Sequence, residues 1–184
     1  MNKTNTQMIT TTALMAAVLC VLGPLSLPIG PVPIALANLA LYFMVYIVGT
    51  KISVIACAIY LLLGLVGLPV FSGYAGGPQK LFGPTGGYLI GYIPMILIMG
   101  FYVTKHAEKR VQCILVMEAA TWVLYMMGTL WLAHAAGMSF SAALGAGVLP
   151  FILLDLAKIC AAAIFAPMIR ERLVKANVLP ALNQ

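Results

Sequence analysis

Six apolar stretches fill almost all of the chain, at roughly 8–27, 34–50, 52–68, 85–104, 112–136 and 148–169. Each approaches or exceeds the ~20 apolar residues that cross a bilayer as a helix, with 34–50 and 52–68 at the short end. Hydrocarbon offers no partner to backbone N–H and C=O groups, so a spanning segment of this kind must satisfy its own as a helix. The expected fold is therefore all-α, a six-helix transmembrane bundle forming one integral membrane domain over residues 1–184. Composition agrees: 8% of the residues are charged, against about 25% in a soluble domain. The stretches leave no room for an appended ATPase, receptor or enzyme module.

The first stretch follows Lys3 and so has the outline of a signal peptide. It is too long for one, and no small-x-small cleavage site follows before Pro24. Cys20 is preceded by Leu19, which does not fit a lipoprotein site. Residues 8–27 are read as a retained helix.

The net charge of +6 is a topology signal. With both termini cytoplasmic, Lys3, Lys51, Lys105, Lys109, Arg110, Arg170, Arg172 and Lys175 all lie inside. Lys80 alone lies outside, and Lys158 is within the last stretch. That bias follows the positive-inside rule. It places two outer loops, 23–33 and 69–84, on the extracellular face.

Both loops are unusual. GPLSLPIGPVP (23–33) has four prolines and two glycines, and proline's missing donor excludes a regular helix. FSGYAGGPQKLFGPTGGYLIGY (71–92) carries six glycines in its first seventeen residues. A phosphate-binding P-loop needs GxxxxGK[ST] after a strand; Pro78 removes an amide here and no strand precedes it. Irregular apolar backbone is tolerated where it is buried in protein or lines a cavity. The reading is a lid over the bundle's mouth, with Gly73, Gln79 and Lys80 as candidate contacts. Gly83, Gly87 and Gly91 repeat every four residues and form a close-packing face.

Chemistry-bearing residues are few. Cys20, Cys57, Cys113 and Cys160 sit singly in four stretches, with His106 and His134 near opposite faces, so neither a metal nor a cofactor is expected. No Ser/His or Cys/His pairing and no HExxH is present, which argues against an enzyme. Asp155 and Lys158, in FILLDLAKICAAA, are opposite charges within one apolar helix. A charge at the bilayer centre costs from ~3 kcal/mol upward and usually marks a substrate or ion path. At i,i+3 they share a helix face, and two readings stand: a mutually neutralised structural pair, or a pair facing a ligand cavity. Asp155 is expected in the second turn of a helix starting near Pro150. Asn38, with Tyr42 one turn on, and Tyr88, ahead of Tyr92, are further interior candidates. Glu118 is expected near the cytoplasmic end of its helix, capping it or pairing with Lys105, Lys109 or Arg110, with a transport role at a partner interface as the other reading. Ala13 and Ala17 make a small-xxx-small pair, read either as bundle packing or as a docking face. SFSAALGAG (139–147) is either a short helix or a re-entrant segment.

GLVGLPVFSGYAGG…LFGPTGGYLIGY, the GPVPI loop and DLAK in the last helix together resemble the biotin-specific S components of energy-coupling-factor transporters, the BioY family. The resemblance covers nearly the whole chain. It implies a six-helix membrane protein that binds biotin from outside, beneath the loops joining helices 1–2 and 3–4. The partners it implies are one transmembrane coupling subunit and two ATPase subunits. Ala13 and Ala17 would then contact the coupling subunit, and Asp155 and Lys158 the ligand. Asp155 suits the ureido N–H donors and Lys158 the carbonyl; Tyr88 suits the ring, and Gln79, Lys80 or loop amides the carboxylate. The alternative is a self-sufficient, proton-coupled secondary transporter with Asp155 as carrier. The absence of an inverted repeat with matching broken helices speaks against it.

Overall fold

In the computed structural model, which describes residues 3–27, 32–176 and 178–179, helices dominate. They are α1 (Lys3–Leu22), α2 (Ala37–Val48), α3 (Thr50–Leu65), α4 (Pro78–Leu81), α5 (Gly86–Val103), α6 (Arg110–Ala136), α7 (Phe140–Gly147) and α8 (Ile152–Lys175). A short antiparallel hairpin pairs β1 (Ser26–Leu27) with β2 (Ile34–Ala35). Among the described residues three helices, α5, α6 and α8, are long and apolar enough to cross a membrane; apolar helices over Thr6–Leu22, Ala37–Val48 and Thr50–Leu65 are shorter.

The boundaries differ from the apolar stretches for local reasons. α1 stops at Leu22 instead of running to 27, because Pro24 supplies no N–H to continue the ladder. Residues 34–35 belong to the hairpin, so α2 starts at Ala37. The 23–33 loop is thus partly extended and paired; its residues 28–31 lie outside those described. α2 and α3 are separated by Gly49 alone, at φ 81, a left-handed conformation that favours glycine. SFSAALGAG is a helix, capped by the Ser139 hydroxyl, which accepts from the Ala142 amide at 3.3 Å. α8 begins at Ile152 and runs on to Lys175, which puts Asp155 in its first turn.

Packing follows the small residues. α5 and α6 lie side by side, and a Cβ built on Gly87 would fall 2.3 Å from the Trp131 Cβ. Gly91 meets Leu124 in the same way. Gly83 is not part of that face: it precedes α5, and its carbonyl accepts from Trp131 Nε1 at 2.9 Å. α1 packs on α3, and α2 on α8. Tyr42, Tyr46, Tyr60, Phe71, Met95 and Met99 are among the fully buried side chains of the core.

The two Gly/Pro-rich loops share one end of the bundle. The Gly73 amide donates to the Pro24 carbonyl at 3.1 Å. Phe71 anchors the second loop: it is fully buried, and its ring meets Tyr60 edge-on at 5.4 Å. The space for it comes from Gly64, where any Cβ would overlap the Phe71 ring.

Candidate ligand-binding site

The same end of the bundle contains a polar cluster in an otherwise apolar interior. Asp155, 2% exposed, projects from the first turn of α8, where the helix macrodipole favours an anion. Its Oδ1 accepts from Asn38 Nδ2 at 2.7 Å and from Lys158 Nζ at 2.9 Å. Its Oδ2 accepts from the Tyr125 hydroxyl at 2.8 Å. Lys158 Nζ donates further to Asn38 Oδ1 at 3.0 Å and to the Ala35 carbonyl at 3.1 Å. Three donors thus meet three acceptors, and the ammonium has none to spare. An ionised carboxylate offers about four acceptor positions, so Asp155 keeps one beyond the three in use.

This arrangement satisfies the buried carboxylate and the partly buried ammonium by pairing and by hydrogen bonds. It also ties four elements together: α2 through Asn38, the hairpin through Ala35, α6 through Tyr125, and α8. The cluster forms the polar wall of a cavity of about 50 Å³ whose other lining includes Val32, Tyr88, Tyr92, Leu124 and Phe151. A second cavity of about 40 Å³ shares Val32, Pro33, Ala35, Tyr88 and Tyr92 with it and extends to Ser72 and Thr85 beneath the loops. The two cavities adjoin through these shared residues. Together they have a charged, hydrogen-bonding end, an aromatic middle and a hydroxyl-bearing end. Tyr88 is fixed by donating to the Gly147 carbonyl at 3.1 Å.

A model of the BioY family matches residues 1–175. The chain belongs to the BioY family. It is 33% identical over 165 residues to the biotin transporter BioY2 of Lactococcus lactis subsp. cremoris, covering 90% of this chain and 91% of that one. The biotin transporter BioY of Thermotoga maritima is 35% identical over 156 residues, 80% and 86% of the two chains. The crystal structure of the S-component for biotin from an ECF-type ABC transporter superposes with a TM-score of 0.85 at 27% identity, covering 93% of this chain and 94% of that one. BioY relatives are transporters, so the family sets this chain among transport proteins and not among enzymes.

Within this BioY chain the structure gathers Asp155, Lys158, Asn38 and Tyr88 at one cavity. Tyr92 lines it equally, although Tyr88 was expected ahead of it. Gly73, Gln79 and Lys80 line neither cavity. The one-turn α4 leaves Gln79 exposed and Lys80 half-buried on the outer part of the loop. That partial burial holds the Lys80 ammonium below its usual pKa. Tyr42 is buried away from the cavity and bonded to Thr121 at 2.8 Å. Glu118 forms no salt bridge with Lys105, Lys109 or Arg110, and its Oε2 is buried without a hydrogen-bond partner among the described residues. Ala13 and Ala17 are both exposed, while Thr12, Ala16 and Leu19 carry the buried face of α1. The packing alternative for the alanine pair is therefore excluded. Tyr125 is the site residue that sequence reasoning missed. Its signal was a hydroxyl in the middle of an apolar stretch, away from either interface.

Proposed function

We propose that this chain captures biotin in the cleft formed by the two cavities and serves as the substrate-binding subunit of an ATP-driven uptake transporter. The observation that carries the reading is the Asn38–Asp155–Lys158–Tyr125 cluster at one end of an apolar, aromatic cleft. Biotin presents a ureido ring with two N–H donors and a carbonyl, an apolar bicycle, and a carboxylate on a flexible tail. Asp155 accepts a ureido N–H at its remaining acceptor position. Lys158 turns from the Ala35 carbonyl to the ureido oxygen, exchanging one charge-assisted bond for another. Tyr88 and Tyr92 pack on the bicycle. The tail runs beneath the loops toward Ser72 and Thr85, while Gln79 and Lys80 on the lid lie farther out. Cavities of about 50 and 40 Å³ hold a few waters each, so binding requires Tyr88, Tyr92 and the 32–35 segment between them to move apart. The direct link from Lys158 to the Ala35 carbonyl makes loop movement part of ligand recognition.

Six crossings with both termini cytoplasmic fit the charge distribution and put this cleft on the extracellular side. The partners in this reading are one transmembrane coupling subunit, which docks on the exposed Ala13–Ala17 face of α1, and two ATPase subunits that supply the energy. Liposomes carrying the purified chain alone test it. They should bind biotin without accumulating it under a proton gradient, and should accumulate it with ATP once the coupling module is added. Gradient-driven uptake by the chain alone would establish the proton-coupled alternative. Failure of D155N and K158M to weaken biotin binding would remove the ligand assignment itself.

A further inference from the structure

At the end of the bundle remote from Asp155, a cavity of about 800 Å³ lies among α2, α6, α8 and the 104–109 connection. Its volume is in the range of sites that bind small molecules. Lys105, Arg110, Arg170 and Lys175 line it together with Glu108 and Glu171. Lys175 Nζ is 2.6 Å from Glu171 Oε1, which neutralises that pair and leaves Lys105 and Arg110 facing Glu108. Arg170 is held in place by donating to the Tyr46 and Ile47 carbonyls at the C-terminus of α2. α6 begins at Arg110 with no side-chain cap from Lys109, so the positive end of a 27-residue helix is also at this site.

Tyr46 supplies an independent observation. It lines the cavity and is 1% exposed, and its hydroxyl, beside the Cys113 thiol, meets no acceptor in full hydrogen-bond geometry among the described residues. Buried hydroxyls almost always have a full partner, so this one keeps a donor to offer. The margin indicates what carries the acceptor. Lys105 Nζ lies 4.7 Å above the ring of Phe101, which is 73% exposed on the outer surface of α5. Ala107, Pro167 and Val174 complete an apolar side to the lining. Cations above an outward apolar surface match the level at which a phospholipid's phosphate meets its acyl chains.

We propose that this cavity binds the phosphate of an anionic phospholipid headgroup, with Lys105 and Arg110 neutralising it and the Tyr46 hydroxyl donating to it. Native mass spectrometry of the purified full chain tests this, with phosphatidylglycerol and phosphatidylcholine offered in competition. The expected result is a preference of about ten-fold or more for phosphatidylglycerol, abolished in K105Q/R110Q and reduced in Y46F, with biotin binding unchanged in both. Equal retention of the two lipids, or an undiminished preference in the double variant, would overturn the proposal. So would displacement of phosphatidylglycerol by millimolar inorganic phosphate, since the site would then recognise a soluble anion. Should K105Q/R110Q fail to fold, Y46F decides: unchanged selectivity there removes the role of the Tyr46 hydroxyl and the proposal with it.

Discussion

Asn38 Nδ2 donates to Asp155 Oδ1 across 2.7 Å, joining α2 to α8 between residues 117 positions apart. Lys158 reaches the same amide from its other side, at Asn38 Oδ1. Asn38 is thus the shared partner of both charges, able to donate to one and accept from the other. A neutral amide in this place holds the ion pair without adding a third charge to the interior. Such buried networks are stable when every member is satisfied and costly when one is removed.

Removal of one charge should therefore separate stability from binding. K158M leaves Asp155 buried without its cation and should destabilise the chain by about 3–5 kcal/mol. D155L/K158M removes both charges and should recover most of that loss, since apolar replacement of a buried pair is often neutral or stabilising. Neither variant should bind biotin. Thermal unfolding in detergent beside equilibrium biotin binding reads the two effects, and recovery of binding in the double variant would contradict the assignment.

Tyr125 offers a gentler probe. Y125F deletes one hydrogen bond to a charged acceptor, with an expected cost of roughly 1.5–3 kcal/mol. Part of it should fall on the ligand, because Asp155 Oδ2 loses the donor that orients it. Biotin affinity should drop by about ten-fold while the unfolding transition stays cooperative. An unchanged affinity would show that the hydroxyl serves only the protein's own packing.

What the chain reveals before folding depends on how each residue's signal arises. Asp155 and Lys158 are conspicuous because charge is expensive in an apolar helix, and Asn38 for the same reason in weaker form. Tyr125 is not, because an aromatic in an apolar stretch reads equally as core, belt or site, and only the approach of α8 distinguishes them. Gln79 and Lys80 attract notice as the polar part of a glycine-rich loop, yet the α4 turn leaves them off the cavity. The ends of α1 and α2 were blurred because a proline-containing apolar loop has the same hydropathy as the helices beside it.

The glycines of the α5–α6 contact can be sorted by substitution. G87A places a methyl 2.3 Å from the Trp131 Cβ and should cost about 1–3 kcal/mol through overpacking. Gly145, in α7, has nothing within 4 Å of the corresponding position. G145A should be neutral or stabilise by about 0.5–1 kcal/mol, the helical preference of alanine over glycine. Melting temperatures of the two variants in the same detergent check this, and equal shifts would mean that the α5–α6 approach is less close than the structure shows.

Ala13 and Ala17 present the opposite situation, small side chains exposed on the surface of α1 among the described residues. Within a bilayer, spacing cannot tell an inward small residue from an outward one, because lipid is as apolar as the protein interior. Their exposure on α1 is what decides it. A13L/A17L adds bulk on an exposed face of α1, so stability and biotin binding should match wild type. A partner helix that approaches through this face would be held off by the added side chains, and association through small residues depends on that closeness. Co-purification of the coupling subunit, and ATP-dependent biotin uptake in liposomes, should therefore fall by ten-fold or more, roughly the loss of one good contact. If the double variant assembles and transports normally, the docking face lies elsewhere, with the outward surfaces of α6 and α8 the next to test.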